Sequence, residues 1–95
     1  MENLLTLITT ERARELRFRP GTPPVVVLAD EPHTLEGPPL AADGPEQLLR
    51  SIAGSRQMRE LRERGAVTFI YTLAGSSPFL IRAMIENQNV VFEVQ

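Results

Sequence analysis

The chain has 95 residues, 42% of them hydrophobic, and a formal net charge of −2, which fits one small soluble domain better than a disordered segment. It has no cysteine, and its ten basic residues are all arginine. Within these residues that excludes disulfides, thiolate chemistry, Schiff-base lysines and the lysine-dependent P-loop. No apolar run approaches the ~18 residues that span a bilayer, no basic-then-apolar leader opens the chain, and the acidic balance disfavours nonspecific nucleic-acid binding. A cytoplasmic chain with no membrane insertion and no nucleic-acid partner is therefore expected.

Leu4, Leu5, Leu7 and Ile8 supply one apolar face of a short helix over roughly Asn3–Glu11. The stretch from Ala13 to Asp30 then reads as two strands. In the first, Leu16 and Phe18 alternate with Glu15, Arg17 and Arg19; the second, Val25–Leu28, is apolar throughout. Pro20, Pro23 and Pro24 stiffen the loop between them, and Gly21 can take a left-handed conformation there. His33–Glu36 is expected as a third short strand, stopped by Gly37, Pro38 and Pro39. Asp43 reads as the N-cap of a helix with Pro45 in its first turn and Glu46 placed for a capping box. That helix carries Leu48, Leu49 and Ile52 and is expected to stop at Gly54. Ser55 is expected to cap the next, which buries Met58 and Leu61 and ends at Gly65; Arg56–Glu60 and Arg59–Glu63 are i,i+4 pairs on its outer face.

From Ala66 the period changes to two. Val67, Phe69, Tyr71 and Leu73 alternate with Ala66, Thr68, Ile70 and Thr72; Gly75–Ser77 turn the chain. Phe79, Ile81 and Ala83 share one face of the next strand and Leu80, Arg82 and Met84 the other. Glu86–Asn89 make a turn before a last strand, Val90–Val94. Three strands with short connections form an antiparallel meander, and the whole order predicts an α+β fold with helices packed on one face of an antiparallel sheet.

This arrangement resembles the N-terminal, PAS-like domain of the hexameric ATPases of type IV pili and type II secretion, above all the pilus retraction ATPases. The likeness runs over nearly the whole chain. Ala13, Glu15 and Leu16 partly fill an Ala-Ser-Asp-Leu-His motif, and Pro20, Gly21, Pro23 and Pro24 fill Pro-Gly-x-Pro-Pro. Pro39 and Leu40 match a Pro-Leu pair before a helix, Gly65 and Phe69 a Gly-x-x-Asp-Phe strand, and Phe79, Ile81 and Val90–Phe92 the apolar positions of the last strands. The departures fall on polar positions. Arg17 stands for histidine and Thr68 for aspartate; Pro78 and Leu80 take two arginine positions of the penultimate strand, Arg82 an asparagine position, and Glu93 the arginine of the last strand. In the family, arginines of this domain can reach ATP held by the neighbouring catalytic domain, a task for a planar cationic fork that proline, leucine or glutamate cannot perform. The resemblance thus implies residues 1–95 as one PAS-like domain without the ATPase core, and no Walker motif is present.

Among single candidates, His33 has no second histidine or cysteine beside it and reads as a loop residue rather than a base or metal ligand. Ser76 and Ser77 read as turn residues, with no base and carboxylate to activate them. Arg14, Arg17 and Arg19 form a basic edge on the first strand, suited either to an acidic partner or to solvent. Leu80, Arg82 and Met84 are candidates for a partner interface, with a core role for Leu80 and Met84 left open. Tyr71, Thr72 and Asn87 are the polar groups available for a ligand pocket. No catalytic residue, cofactor or metal is implied. The leading expectation is a noncatalytic interaction module that binds secretion-type ATPase subunits or its own copies, with Arg17, Arg19, Leu80, Arg82 and Met84 as the contact surface. The alternatives are the N-terminal part of a full hexameric ATPase and a small-ligand-sensing PAS-like module. Met1 fits a native start, and the substituted ATP-facing positions favour a free-standing or noncatalytic copy.

Overall fold

The computed structural model describes residue 5 and residues 13–72 and 78–95. Six strands, β1 (Glu15–Phe18), β2 (Val25–Leu28), β3 (Glu31–Thr34), β4 (Ala66–Tyr71), β5 (Phe79–Glu86) and β6 (Asn89–Val94), form one sheet in the order β3-β2-β1-β6-β5-β4, and every neighbouring pair is antiparallel. Two helices, α1 (Gly44–Arg50) and α2 (Ser55–Arg64), lie between β3 and β4 in the chain. The α+β fold with helices on one sheet face is as the sequence predicts. Of the helix expected over Asn3–Glu11, only Leu5 is described, and it is helical and fully buried. Leu73 and the turn expected at Gly75–Ser77 lie outside the described residues.

Alternation decides which face is buried. Leu16 and Phe18 of β1, Val26 of β2, Val67 of β4, Phe79, Ile81 and Ala83 of β5, and Val90, Phe92 and Val94 of β6 form one apolar cluster with Leu5, Leu49 of α1 and Leu61 of α2. This settles the question left open for β5: Phe79–Ile81–Ala83 is the core side, and Leu80, Arg82 and Met84 stand on the open side. Met58, as expected, packs against the cluster, half-buried.

The proline-stiffened loop between β1 and β2 is tied to the approach of α1. Gly21, at φ +84°, donates its N–H to the Leu40 carbonyl at 2.8 Å, and Leu40 donates to Thr22 at 3.0 Å. Two stretches that the sequence offers as separate motifs, around Pro20–Pro24 and Pro39–Leu40, therefore form one cross-bonded loop pair.

Several boundaries differ from the sequence reading. β3 spans Glu31–Thr34 rather than His33–Glu36, because the chain reverses in two residues: Ala29 and Asp30 both have positive φ (48° and 67°) and Leu28 pairs directly with Glu31. α1 ends at Arg50, not Gly54; the Ser51 hydroxyl donates to the Leu48 carbonyl at 2.6 Å, and the Ser51 and Ile52 amides reach back three residues to Leu48 and Leu49, closing the last turn. Asp43 is the N-cap residue and Pro45 lies in the first turn, but no side-chain cap bond forms, since Glu46 pairs forward with Arg50 at 3.4 Å. α2 is capped by Gly54, whose carbonyl accepts the Met58 N–H at 3.1 Å, so Ser55 is already its first residue. Gly65 ends α2 in the left-handed region at φ +79°, as read from the sequence. On the outer face of α2, Glu60 lies 4.0 Å from Arg64, in place of the expected Arg56–Glu60 pair, and no Arg59–Glu63 ion pair forms.

Candidate interaction surface on the open face of the sheet

Pairing across the ladders puts Glu15 and Arg17 of β1, Val25 and Val27 of β2, Val91 and Glu93 of β6, Leu80, Arg82 and Met84 of β5, and Ala66, Thr68 and Ile70 of β4 on one side of the sheet. No described helix covers that side where Ile70 and Met84 remain 61% and 47% exposed. Val27 and Val91 are buried there all the same, outside the core cluster, beneath the long side chains of this face.

Four of the five expected contact residues, Arg17, Arg19, Arg82 and Met84, line one groove of about 210 Å³ together with Val91 and Glu93. Leu80 is not among its lining residues; it lies one register step away, paired with Ile70 across β4–β5. The basic edge expected on the first strand is not an edge, because β1 lies between β2 and β6 and presents its arginines on a face. Each of those arginines has a carboxylate partner: Arg14 pairs with Asp30, Arg17 with Glu15, and Arg19 with Glu86 at 3.0 Å. Arg82 lies 3.9 Å from Glu93. Glu93 is the one carboxylate lining the groove itself, but carboxylates beside it pair with its arginines, so the surface around the groove is a lattice of alternating charge rather than a bare cationic cleft.

Glu15 is the most constrained group of that lattice. Burial alone would raise its pKa, but hydrogen bonds from Gln95 (2.8 Å) and Arg17 and the charges of Arg17 and Arg82 outweigh it and hold the carboxyl below its ordinary value. Its side chain is 13% exposed.

The remaining candidates do not converge. His33 sits exposed on β3 with Nε2 4.0 Å from Glu31. Tyr71 pairs with Phe79 at the start of β5, whereas Asn87 follows Glu86 at its far end, so the proposed ligand-pocket residues lie at opposite ends of an eight-residue strand, roughly 25 Å apart at ~3.3 Å per residue. Ser76 and Ser77 lie outside the described residues. Among the described residues no polar or charged residue is buried, and no three His, Cys, Asp or Glu residues are grouped to hold a metal. What the surface can do chemically is bind: it offers apolar contact flanked by charge pairs that a partner's own ions can join or exchange. The sequence reading missed the carboxylate half of the lattice. The signal available was the matched alternation of Glu15-x-Arg17 with Arg82 and Glu93, legible only once register is known.

Among solved structures, the pilus retraction motor PilT with bound ADP matches 98% of this chain at a TM-score of 0.88, with 19% identity. The chain carries the fold of the PilT N-terminal domain. The ATPase DotB of Legionella pneumophila matches at a TM-score of 0.76 with 13% identity over 99% of the chain, and DotB of Yersinia pseudotuberculosis at 0.67 with 16% over 98%. The chain spans only about a quarter of each: 27% of the PilT chain and 26% and 28% of the two DotB chains. No protein-family model and no curated protein matches the sequence. Among the described residues no helix is long and apolar enough to cross a membrane.

Proposed function

We propose that these residues form one noncatalytic interaction and assembly module of the pilus and secretion ATPase type, working in the cytoplasm. The observation that carries the reading is that virtually the whole chain superposes on about a quarter of an ATPase, 98% against 27%. The 95 residues themselves hold no lysine and no Walker motif. The mechanism is docking. Arg17, Arg19, Arg82 and Met84 line the contact groove on the open sheet face, and Leu80 with Ile70 extends it toward β4. Its occupant is a subunit of a secretion-type ATPase or a second copy of this chain.

The test is capture of a purified secretion-type ATPase on immobilised chain, side by side with the variant Arg82→Glu, Met84→Ser. Both positions are exposed, so the variant keeps the fold. Capture by the parent and at least about tenfold weaker capture by the variant, ~1.4 kcal/mol, is the expected result. A strictly monomeric chain that retains no ATPase would overturn it.

A second reading is supported by the same coverage: the module is the N-terminal part of a longer motor chain, serving assembly and the coupling of hydrolysis to movement. A reading frame that continues past Gln95 into a Walker A motif is its expected signature, and a stop codon there removes it.

A further inference from the structure

The two outer strands of the sheet are built differently. Backbone parity shows which groups each leaves unpaired. Leu80 and Gln95 exchange both amide bonds (3.0 and 2.9 Å), so Leu80, Arg82 and Met84 direct their backbone groups to β6. The odd-numbered residues of β5 therefore bond to β4, as the Ile85 N–H does to the Gly65 carbonyl at 2.9 Å. Across that ladder Val67, Phe69 and Tyr71 are engaged, and Ala66, Thr68 and Ile70 aim N–H and C=O away from the sheet. All three are exposed, and β4 contains no proline, no glycine and no charged residue.

The opposite edge is blunted. The Leu35 N–H bonds to the Pro24 carbonyl at 2.9 Å, so Glu31 and His33 share its parity toward β2, and Pro32 and Thr34 face outward. Proline has no N–H to offer at that edge, and Glu31 and His33 place charge and a titratable ring on the same four residues. Among the described residues, one edge is blunted against strand addition and the other has no strand paired to it.

We propose that the β4 edge pairs antiparallel with the β4 edge of a second copy of this chain, about a two-fold axis through Thr68. The register follows from parity: Thr68 meets Thr68 of the copy, and Ala66 meets Ile70, so all three outward-facing residues fall in hydrogen-bonded pairs. The side chains agree with it. A threonine pair is a favourable cross-strand neighbour, the large exposed Ile70 stands over the smallest residue of the strand, and no like charges oppose each other across the axis. Because Pro32 blunts the far edge, pairing stops at a closed dimer with one continuous sheet. A six-residue strand pair covers less than the ~1,600 Å² of a standard interface, so the dimer forms in a concentration-dependent way. This deepens the self-association arm of the proposed function and does not depend on an ATPase partner.

Sedimentation velocity over a wide range of chain concentrations tests it, with amide exchange read by NMR. The parent chain is expected to shift from monomer to dimer, with slow exchange at Ala66, Thr68 and Ile70 appearing only in the dimer. Thr68→Pro removes an outward N–H and leaves the β4–β5 ladder intact, and Ile70→Lys charges the edge; both are expected to stay monomeric with an unchanged circular dichroism spectrum. A parent chain that is monomeric throughout, a dimer that survives both substitutions, or a dimer in which those three amides exchange freely each overturns the proposal. ATPase capture without self-association overturns this pairing and leaves the docking function standing; a dimer without capture, blocked by both substitutions, supports this pairing and removes only the ATPase arm of the docking function.

Discussion

Phe18 and Phe92 stack with ring centroids 4.4 Å apart and planes 15° from parallel, and both are buried. Removing one ring leaves a void that its neighbours cannot fill, so Phe18→Ala is expected to cost about 3–5 kcal/mol in urea denaturation. Met84→Ala, on the open face, is expected to change stability by no more than about 0.5 kcal/mol. The contrast separates residues that hold the fold from residues free to bind. Glu15 belongs to both groups. Its folded-state pKa lies below the unfolded value, so its contribution is complete above the unfolded value and is lost as pH falls through the folded one. The chain is therefore expected to exceed Glu15→Gln in stability at neutral pH, with the difference closing in the acid range. Denaturation midpoints of both proteins across pH 3–7, roughly the carboxylate window, measure it; a difference independent of pH would assign Glu15 a role in shape alone.

The elements are held at their ends by backbone conformations that only some residues tolerate. Gly65 closes α2 at φ +79°, and a Cβ there would meet nothing within 4 Å. Gly65→Ala therefore isolates the backbone penalty of about 1–2 kcal/mol, and Gly65→Asn should recover part of it. The β2–β3 turn has the opposite fault, with Ala29 at φ +48°. Ala29→Asn supplies a residue suited to that region and is expected to raise stability by roughly 0.5–1 kcal/mol in the same assay. These two sites also explain how far the fold is legible in the sequence. Gly65 announces its turn by identity, and the alternation in Val67–Tyr71 and Phe79–Ala83 announces the strands, so the end of α2 and the presence of β4 and β5 are legible, while the start of α2 and the buried face of β5 are not. Ala29–Asp30 gives no such sign, and Pro32 argues against a strand unless one knows that it faces outward at an edge. β3 is therefore misplaced by two residues. The end of α1 is hidden for a related reason: Ile52 and Ala53 continue to pack against the core after the backbone has left the helix.

At the scale of the molecule, the N-terminal strands β1–β3 and the C-terminal meander β4–β6 meet in one ladder, β1–β6, which pairs Leu16 with Val94 and Phe18 with Phe92. That seam also makes the candidate surface, since Arg17 and Arg19 come from one half and Arg82 and Met84 from the other. The residue types of the site were legible as charged and apolar positions on alternating strands. Their meeting was not, because it depends on which distant strands become neighbours. The same seam makes folding all-or-none in expectation: both halves contribute to one apolar cluster, and pairing residues more than 70 positions apart is slow to nucleate. Phe92→Ala tests this. The single tyrosine, Tyr71, reports on the meander by fluorescence, and the Val26 amide reports on the N-terminal strands by NMR. The substitution is expected to cost about 3 kcal/mol or more, lowering the melting temperature by over ~12 °C. Both probes should move together and keep coincident midpoints. If Val26 stays protected after Tyr71 has unfolded, the halves are independent units, and the surface they share is a docked interface rather than part of one core.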